Sequence, residues 1–404
     1  MTRDAQPGMR RAADLQPRPE PGDEPALAEA IRVEIRASGP MAFARFMEVA
    51  LYHPELGYYA TGRRGPGRTS DFLTAPESHP IFGATLARQL EETWERLGRP
   101  PRFTVREYGA GTGALAAGIV AGLARSGSAL LPALRYRITE RSPERERQVT
   151  ERLVATGIPD VEATFEADDG EPITGAVLAN EVLDALPVHR VEGGAAGDLL
   201  ELFVALDGDS EFATVVGAPS SPGLQARLDA EGIVLGPGQR AEVCLALDGW
   251  MAGAAAGLGR GLLLLIDYGH PATALYDRRR GSLLRAYVNH RVHDDPFRNV
   301  GRQDLTAHVD LTAVERAAAD AGLVHLGTTT QAEFLASLGA GDLLVALQTD
   351  GQTDLEAYLE ARSALFRMLD PGVTGRFAVL AFGRGLAAEP PLAGLAFRGP
   401  RMVD

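Results

Sequence analysis

The chain has 404 residues, 45% hydrophobic and 23% charged, with no apolar run near the roughly 18 residues that span a bilayer; this points to a soluble globular protein of two domains, or one with large additions. Its formal charge of -14 opposes nonspecific binding to nucleic-acid phosphates. All 40 basic residues are Arg, which excludes a lysine Schiff base, a pyridoxal phosphate anchor and a Walker-type loop, and the single cysteine, Cys244, excludes intrachain disulfides and thiolate-rich metal sites.

Residues 1–25 mix Pro, Arg and acids with little apolar content and are expected to be a disordered tail; with no apolar h-region, a cytoplasmic protein is expected. Helical spacing over residues 26–35, and again after Gly39-Pro40 with Phe43, Phe46, Met47 and Ala50 on one stripe, predicts an N-terminal helical layer. The Gly-, Arg- and Pro-rich stretch 58–70 reads as a mobile loop, and residues 58–77 as a lid over the site. A helix follows over residues 80–97. Strands at 102–107, 135–139 and 176–180 alternate with helices at 114–125 and 143–155, the signature of a parallel sheet. Residues 198–206 and 211–216 flank Asp207-Gly208-Asp209-Ser210, a hairpin inside an antiparallel insertion. The parallel pattern resumes at 262–266. A His- and Asp-rich loop then runs to 304, followed by a helix through 319, a strand near His325, two helices over 331–368 and a strand at 377–382.

The strongest local signal is Glu107-x-Gly109-x-Gly111-x-Gly113 between a strand and a helix, where glycines let a ligand approach the backbone. Ala114 keeps a dinucleotide reading open on spacing alone. Glu107 shifts the balance, because a carboxylate beside the loop suits the cationic amino-acid end of S-adenosylmethionine better than a pyrophosphate. Glu140, ending the next strand, can accept both ribose hydroxyl protons, and Asp168 either caps a turn or bonds the adenine amine. Asn180-Glu181-x-x-Asp184 is a polar cluster entering the core at a strand end, costly unless paired, and reads as the acceptor pocket. Asp267-Tyr268-Gly269-His270 ends the next strand, with His270 or His308 as a base for a hydroxyl or carboxyl acceptor. Cys244 lies in an apolar run and reads as a buried, inert thiol. Scattered His and Asp downstream lack metal-ligand spacing, and no metal is expected.

In this order the motifs resemble the MidA-like family of class I S-adenosylmethionine-dependent methyltransferases. The resemblance spans residues 39–338 and rests on Gly39-Pro40, Gly57-Tyr58-Tyr59, Asp71-Phe72-Leu73-Thr74-Ala75-Pro76-Glu77 and Ile81-Phe82-Gly83. It continues through the glycine loop, Asn180 to His189, Asp267 to His270, and Asp304-Leu305-Thr306-Ala307-His308-Val309-Asp310. Ser70 stands where the family usually has Gly, and Tyr108 and Ala110 depart from its usual glycine loop. The resemblance implies an α/β fold: a class I methyltransferase Rossmann-like sheet with an N-terminal helical layer and a small antiparallel β insertion. The divisions expected are a tail (1–25), helical and lid region (26–100), donor-binding half (101–187), insertion (188–260), the rest of the sheet and helices (261–385) and a C-terminal tail (386–404). It further implies S-adenosyl-L-methionine held by Thr74, Glu107, Gly109, Ala110, Gly111, Gly113, Glu140, Asp168 and Asn180, and catalysis by Glu181, Asp184, Asp267 and His270. A protein or peptide arginine is the expected acceptor, with no nucleic-acid or membrane partner, and a homodimer is conceivable within the family. A small-molecule methyltransferase and a non-catalytic donor-binding assembly factor are the alternatives.

Overall fold

The fold comes from a computed structural model that describes residues 21–60, 74–140, 143–157, 163–165, 171–208, 210–289, 291–349, 351 and 353–397, with only the backbone at 143, 144 and 163–165. The N-terminal layer comprises α1 (Pro25–Ser38), β1 (Met41–Ala42) and α2 (Phe43–Tyr52). The predicted stripe of α2 is buried, and the Phe46 ring meets Phe297 edge-on at 5.4 Å and Phe212 at 5.7 Å. Next come α3 (Ala75–Ser78), α4 (Ile81–Arg96), β2 (Phe103–Tyr108), α5 (Ala114–Ser126), β3 (Leu134–Thr139), α6 (Pro143–Ala155), β4 (Ala163–Phe165) and β5 (Ile173–Asn180). The insertion holds β6 (His189–Gly193), β7 (Leu199–Asp207), β8 (Glu211–Gly217), α7 (Pro222–Ala230) and β9 (Arg240–Val243). After α8 (Ala246–Ala256) and β10 (Leu258–Asp267) lie β11 (Gly269–His270), α9 (Ala272–Leu275), β12 (Leu284–Val288), β13 (Arg291–His293), β14 (Asp304–Ala307) and β15 (Val309–Asp310). The chain closes with α10 (Leu311–Asp320), β16 (Val324–Thr330), α11 (Gln331–Ser337), α12 (Ala340–Thr349), α13 (Leu355–Leu369) and β17 (Ala378–Arg384).

The central sheet has the order β16-β17-β10-β5-β2-β3-β4. From β10 to β4 its strands are parallel, and β17 runs antiparallel between β10 and β16. The chain leaves β2 to one side for β3 and β4, then returns on the other side with β5. Strand order therefore reverses between β2 and β5, the place where open α/β sheets bind ligands at their carboxyl ends. Register puts Tyr108 opposite both Thr139 and Ala179, and Asn180 opposite Ile266, so the ends carrying Glu107, Glu140, Asn180 and Asp267 form one rim.

Several expectations are corrected. Residues 21–25 are not a loose tail, since Gly22 N–H donates to Asn299, Asp23 accepts from Val300 N–H, and Glu24 pairs with Arg302 at 2.8 Å; residues 1–20 lie outside the description. The N-terminal layer and the insertion are not separate units, because β1 pairs with β7, Met41 opposite Val204. The loop expected before Asp304 contains β12 and β13, which form the antiparallel sheet β13-β12-β14 with the strand that follows; strands of three to five residues are too short for a period-2 pattern to stand out. Three helices, not two, fill 331–369. The C-terminal segment is docked to residue 397: Gly394 N–H donates to Gln89 Oε1 at 3.0 Å and Leu392 is buried. Cys244 Sγ meets the Pro187 carbonyl at 3.6 Å, and burial pushes its pKa up to about 11, as an inert thiol requires.

The sheet's donor-side face is covered by α4 and α5 in backbone contact. A Cβ added at Gly83 would lie 2.7 Å from the Gly118 carbonyl carbon, and one at Gly122 2.6 Å from Ala84 Cα. This contact fixes α3, which precedes α4, against the glycine loop, which precedes α5. Gly83→Val is expected to cost about 1–3 kcal/mol through overpacking, measured by urea unfolding; an unchanged midpoint would contradict the contact.

Candidate active site

The donor side begins at β2, buried along its whole length. Glu107 is 3% exposed, accepts from Tyr136 Oη at 2.5 Å, and has its pKa raised to about 7, chiefly by burial, with Glu140 adding to the rise and Tyr136 opposing it. The three loop glycines have φ of 64°, 58° and 79° at Gly109, Gly111 and Gly113. These left-handed values disfavour any side chain, and a Cβ at Gly109 would also meet Val182 at 3.0 Å. Ala110 is buried and its carbonyl accepts from Gly113 N–H at 2.8 Å, closing the turn into α5. Glu140 is half-buried at the end of β3. Thr74 is buried at the start of α3, where its carbonyl, not its hydroxyl, receives the Ser78 N–H. Asp168 and residues 61–73 of the expected lid lie outside the described residues.

Across the switch point, Asn180 donates through Nδ2 to Glu181 Oε1 at 3.2 Å, while its own Oδ1 is buried without a hydrogen-bond partner. Glu181 has the left-handed φ of 53°, rare for a side-chain-bearing residue and a mark of local strain. The backbone beyond it wraps one carboxylate: Asp267 Oδ2 accepts from the N–H groups of Val182, Leu183 and Asp184 at 3.1, 2.9 and 3.3 Å, and Oδ1 accepts from Tyr268 N–H at 2.8 Å. Both Asp267 oxygens thus accept from the backbone, and the carboxylate holds the turn on which Glu181 and Asp184 sit.

Glu181 and Asp184 lie side by side on that turn. Burial, then Asp184, drives the Glu181 pKa to about 8, with Asn180 and the Ala75 N–H opposing. Burial drives Asp184 to about 6 against the Tyr268 hydroxyl and backbone N–H groups. Asp267 is pushed upward by burial and by both acids. Asp184 and Asp267 are buried and Glu181 is half-buried beside them, and among the described residues no cationic side chain counters either Glu181 or Asp184. Tyr59, Tyr268 and Tyr287 surround the pair, each with its hydroxyl pKa raised by burial and by Asp184. Tyr59 is further anchored by donating to Asp304 at 2.7 Å, and Tyr52 by donating to the Ala185 carbonyl at 2.9 Å.

The two histidines lie together beside arginines. A guanidinium can only donate, so the contact of 2.9 Å from Arg280 Nη1 occupies the His270 Nε2 lone pair. Burial and the arginines Arg280 and Arg376 lower the His270 pKa, and burial, His270, Arg285 and Arg280 lower that of His308 to about 4. The two rings stack at 5.5 Å. Sequence reasoning passed over Tyr136, Thr112 and Arg152; Tyr136 looks like any buried strand residue, and nothing in the local pattern marks its hydroxyl.

Residues 85–329 match a family described as "Putative S-adenosyl-L-methionine-dependent methyltransferase". The chain belongs to this family. It is 35% identical to a "likely methyl transferase from Burkholderia thailandensis bound to S-adenosyl-homocysteine", covering 92% of this chain and 95% of that one with a TM-score of 0.82. It is 28% identical over 90% of its length to the mitochondrial protein arginine methyltransferase NDUFAF7 homolog of Drosophila melanogaster, covering 86% of that protein. It is 27% identical over 79% of its length to NDUFAF7 of Homo sapiens, covering 75% of that one. The sheet is that of a class I methyltransferase, and S-adenosyl-L-methionine is the methyl donor. The open glycine cradle, the buried Glu107 and the unpartnered Asn180 Oδ1 fit that group. The expected cytoplasmic setting gains no support from the NDUFAF7 relatives, which are mitochondrial by name; no helix among the described residues is long and apolar enough to cross a membrane.

Two outcomes follow from this geometry. Gly111→Val, forcing a branched side chain into a left-handed turn, is expected to abolish S-adenosylhomocysteine binding in a calorimetric titration. The Glu181 pKa, raised above 4.5 to about 8, means the folded protein keeps a proton that the unfolded chain sheds, so this group's contribution to stability falls as pH climbs from about 4.5 to 8. Glu181→Gln removes the charge and is expected to raise Tm by about 2–4 °C more at pH 8.5 than at pH 5; an equal effect at both would place the carboxylate in solvent.

Proposed function

We propose that the protein transfers a methyl group from S-adenosyl-L-methionine to a guanidinium nitrogen of an arginine in a protein or peptide. The observation that carries this reading is the pair of half-buried Glu181 and buried Asp184, which no cation among the described residues neutralises. An arginine side chain supplies the missing charge and the planar set of N–H donors that two carboxylates grip. The NDUFAF7 relatives, named as protein arginine methyltransferases, support the same acceptor.

In this reading Glu107, Glu140, Asn180, Thr74 and the loop of Gly109, Ala110, Gly111 and Gly113 hold the donor. Asn180 Oδ1 and Glu107 face its ammonium, and Glu140 takes the ribose hydroxyls. The donor contributes an electrophilic methyl on a sulfonium. Glu181 and Asp184 hold the guanidinium so that one nitrogen lone pair lies in line with that methyl, and the tyrosines exclude water. The N–C bond forms as the C–S bond breaks, the sulfur keeps the electron pair, and Glu181, the more basic of the two acids, takes the proton shed by the methylated nitrogen. Asp267 acts through the turn.

Incubation of a cell lysate with labelled donor, followed by mass spectrometry of the labelled product, is expected to show methylarginine in a polypeptide; label confined to small molecules would overturn the acceptor assignment. Glu181→Gln is expected to lower kcat/KM about 100-fold or more while leaving donor affinity within a few fold. Because both acids must be ionised to grip a cation, kcat/KM for the acceptor is expected to rise as pH increases from about 6 to 8 and then level; a fall across that range would remove the pair from acceptor binding.

A further inference from the structure

The four-residue α3 touches both halves of the site. The Ala75 N–H at its start favours the charged form of Glu181 on the acceptor side. Two residues on, the Glu77 side chain is only 6% exposed and accepts from the hydroxyl of Thr112, the one polar side chain of the glycine loop. Arg152 Nη1, from the last turn of α6, lies 3.3 Å from each Glu77 oxygen and 2.5 Å from Thr112 Oγ1. Three side chains from three elements thus close a ring on a loop whose glycines, at φ of 64°, 58° and 79°, leave its backbone little stiffness of its own. Each member contacts the other two, so removing one breaks two of the three contacts and frees the remaining pair to shift, which couples the three positions.

We infer that Glu77 is a positioning residue: through Thr112 and Arg152 it holds the glycine loop in its donor-binding shape, and through α3 it ties that shape to the acceptor carboxylate Glu181. The second half rests on the reading of Glu181 as the acceptor grip; the first half does not. Affinity for S-adenosylhomocysteine, measured by calorimetry on the full chain, tests the first half with Glu77→Ala, Thr112→Val and the double variant. Each single variant is expected to lose about tenfold in affinity, and the double no more than the worse single, because both break one network. Wild-type affinity in Glu77→Ala, or additive losses in the double variant, overturns the inference; a purely structural role would lower Tm and leave affinity unmoved. Should Glu77→Ala fail to fold, Glu77→Gln keeps an acceptor for Thr112 without the charge opposite Arg152, and its affinity is expected to fall between the other two; wild-type affinity there overturns the inference equally. For the second half, acceptor kcat/KM at saturating donor is expected to remain about tenfold low in Glu77→Ala, and full recovery overturns the coupling. Absence of methylarginine with the affinity losses intact would sink the acceptor reading, and with it the coupling, while leaving the donor half standing.

Discussion

One carboxylate organises the reactive end of the sheet. Asp267, 1% exposed at the end of β10, receives three consecutive N–H groups from the turn after β5 on a single oxygen. Such convergence demands a tightly curled backbone, and the left-handed φ of Glu181 is where the curl is made. Strand β5 cannot simply continue, because the Glu181 N–H still donates to the Ile266 carbonyl at 2.8 Å while the next three N–H groups turn toward Asp267. The two acids that follow are thereby delivered to the same pocket rather than to opposite faces, as plain strand alternation would require.

The electrostatic consequence is a site built at a loss. A buried acid is costly, and here burial and mutual repulsion raise the pKa values of neighbouring carboxyl groups. Natural cores avoid such arrangements unless a partner arrives, which is why the cluster carries more functional meaning than any single residue within it. On the donor side the same logic appears in milder form, with Glu107 held at about 7 by burial and eased by the Tyr136 hydroxyl.

The parts of this design that were legible in the sequence are those written in local pattern. The strand read at 102–107 and found at 103–108, running into spaced glycines, the buried strand ending in Asp267 and the Asn180-Glu181-x-x-Asp184 cluster all fall on the rim, because strand ends and glycine turns are sequence-local. What was not legible depends on residues far apart in the chain. That Asp267 accepts from the turn after β5 follows from β5 and β10 lying side by side, Asn180 opposite Ile266. That His270 has its lone pair occupied follows from Arg280 folding back onto it. The ring of Glu77, Thr112 and Arg152 joins α3, the glycine loop and α6, and no spacing rule connects them. The sheet β13-β12-β14 was hidden by its short strands, and β1, two residues long, shows no pattern at all.

That two-residue strand has a consequence for how the chain is made. Met41 pairs with Val204, and α1 and α2 pack with Phe212 and Phe297. During synthesis the first helices emerge long before the strand and rings that complete their apolar face. Until then Phe43, Phe46 and Met47 stand exposed, and closing so wide a chain loop is slow. The N-terminal layer is therefore among the last parts of the fold to be secured.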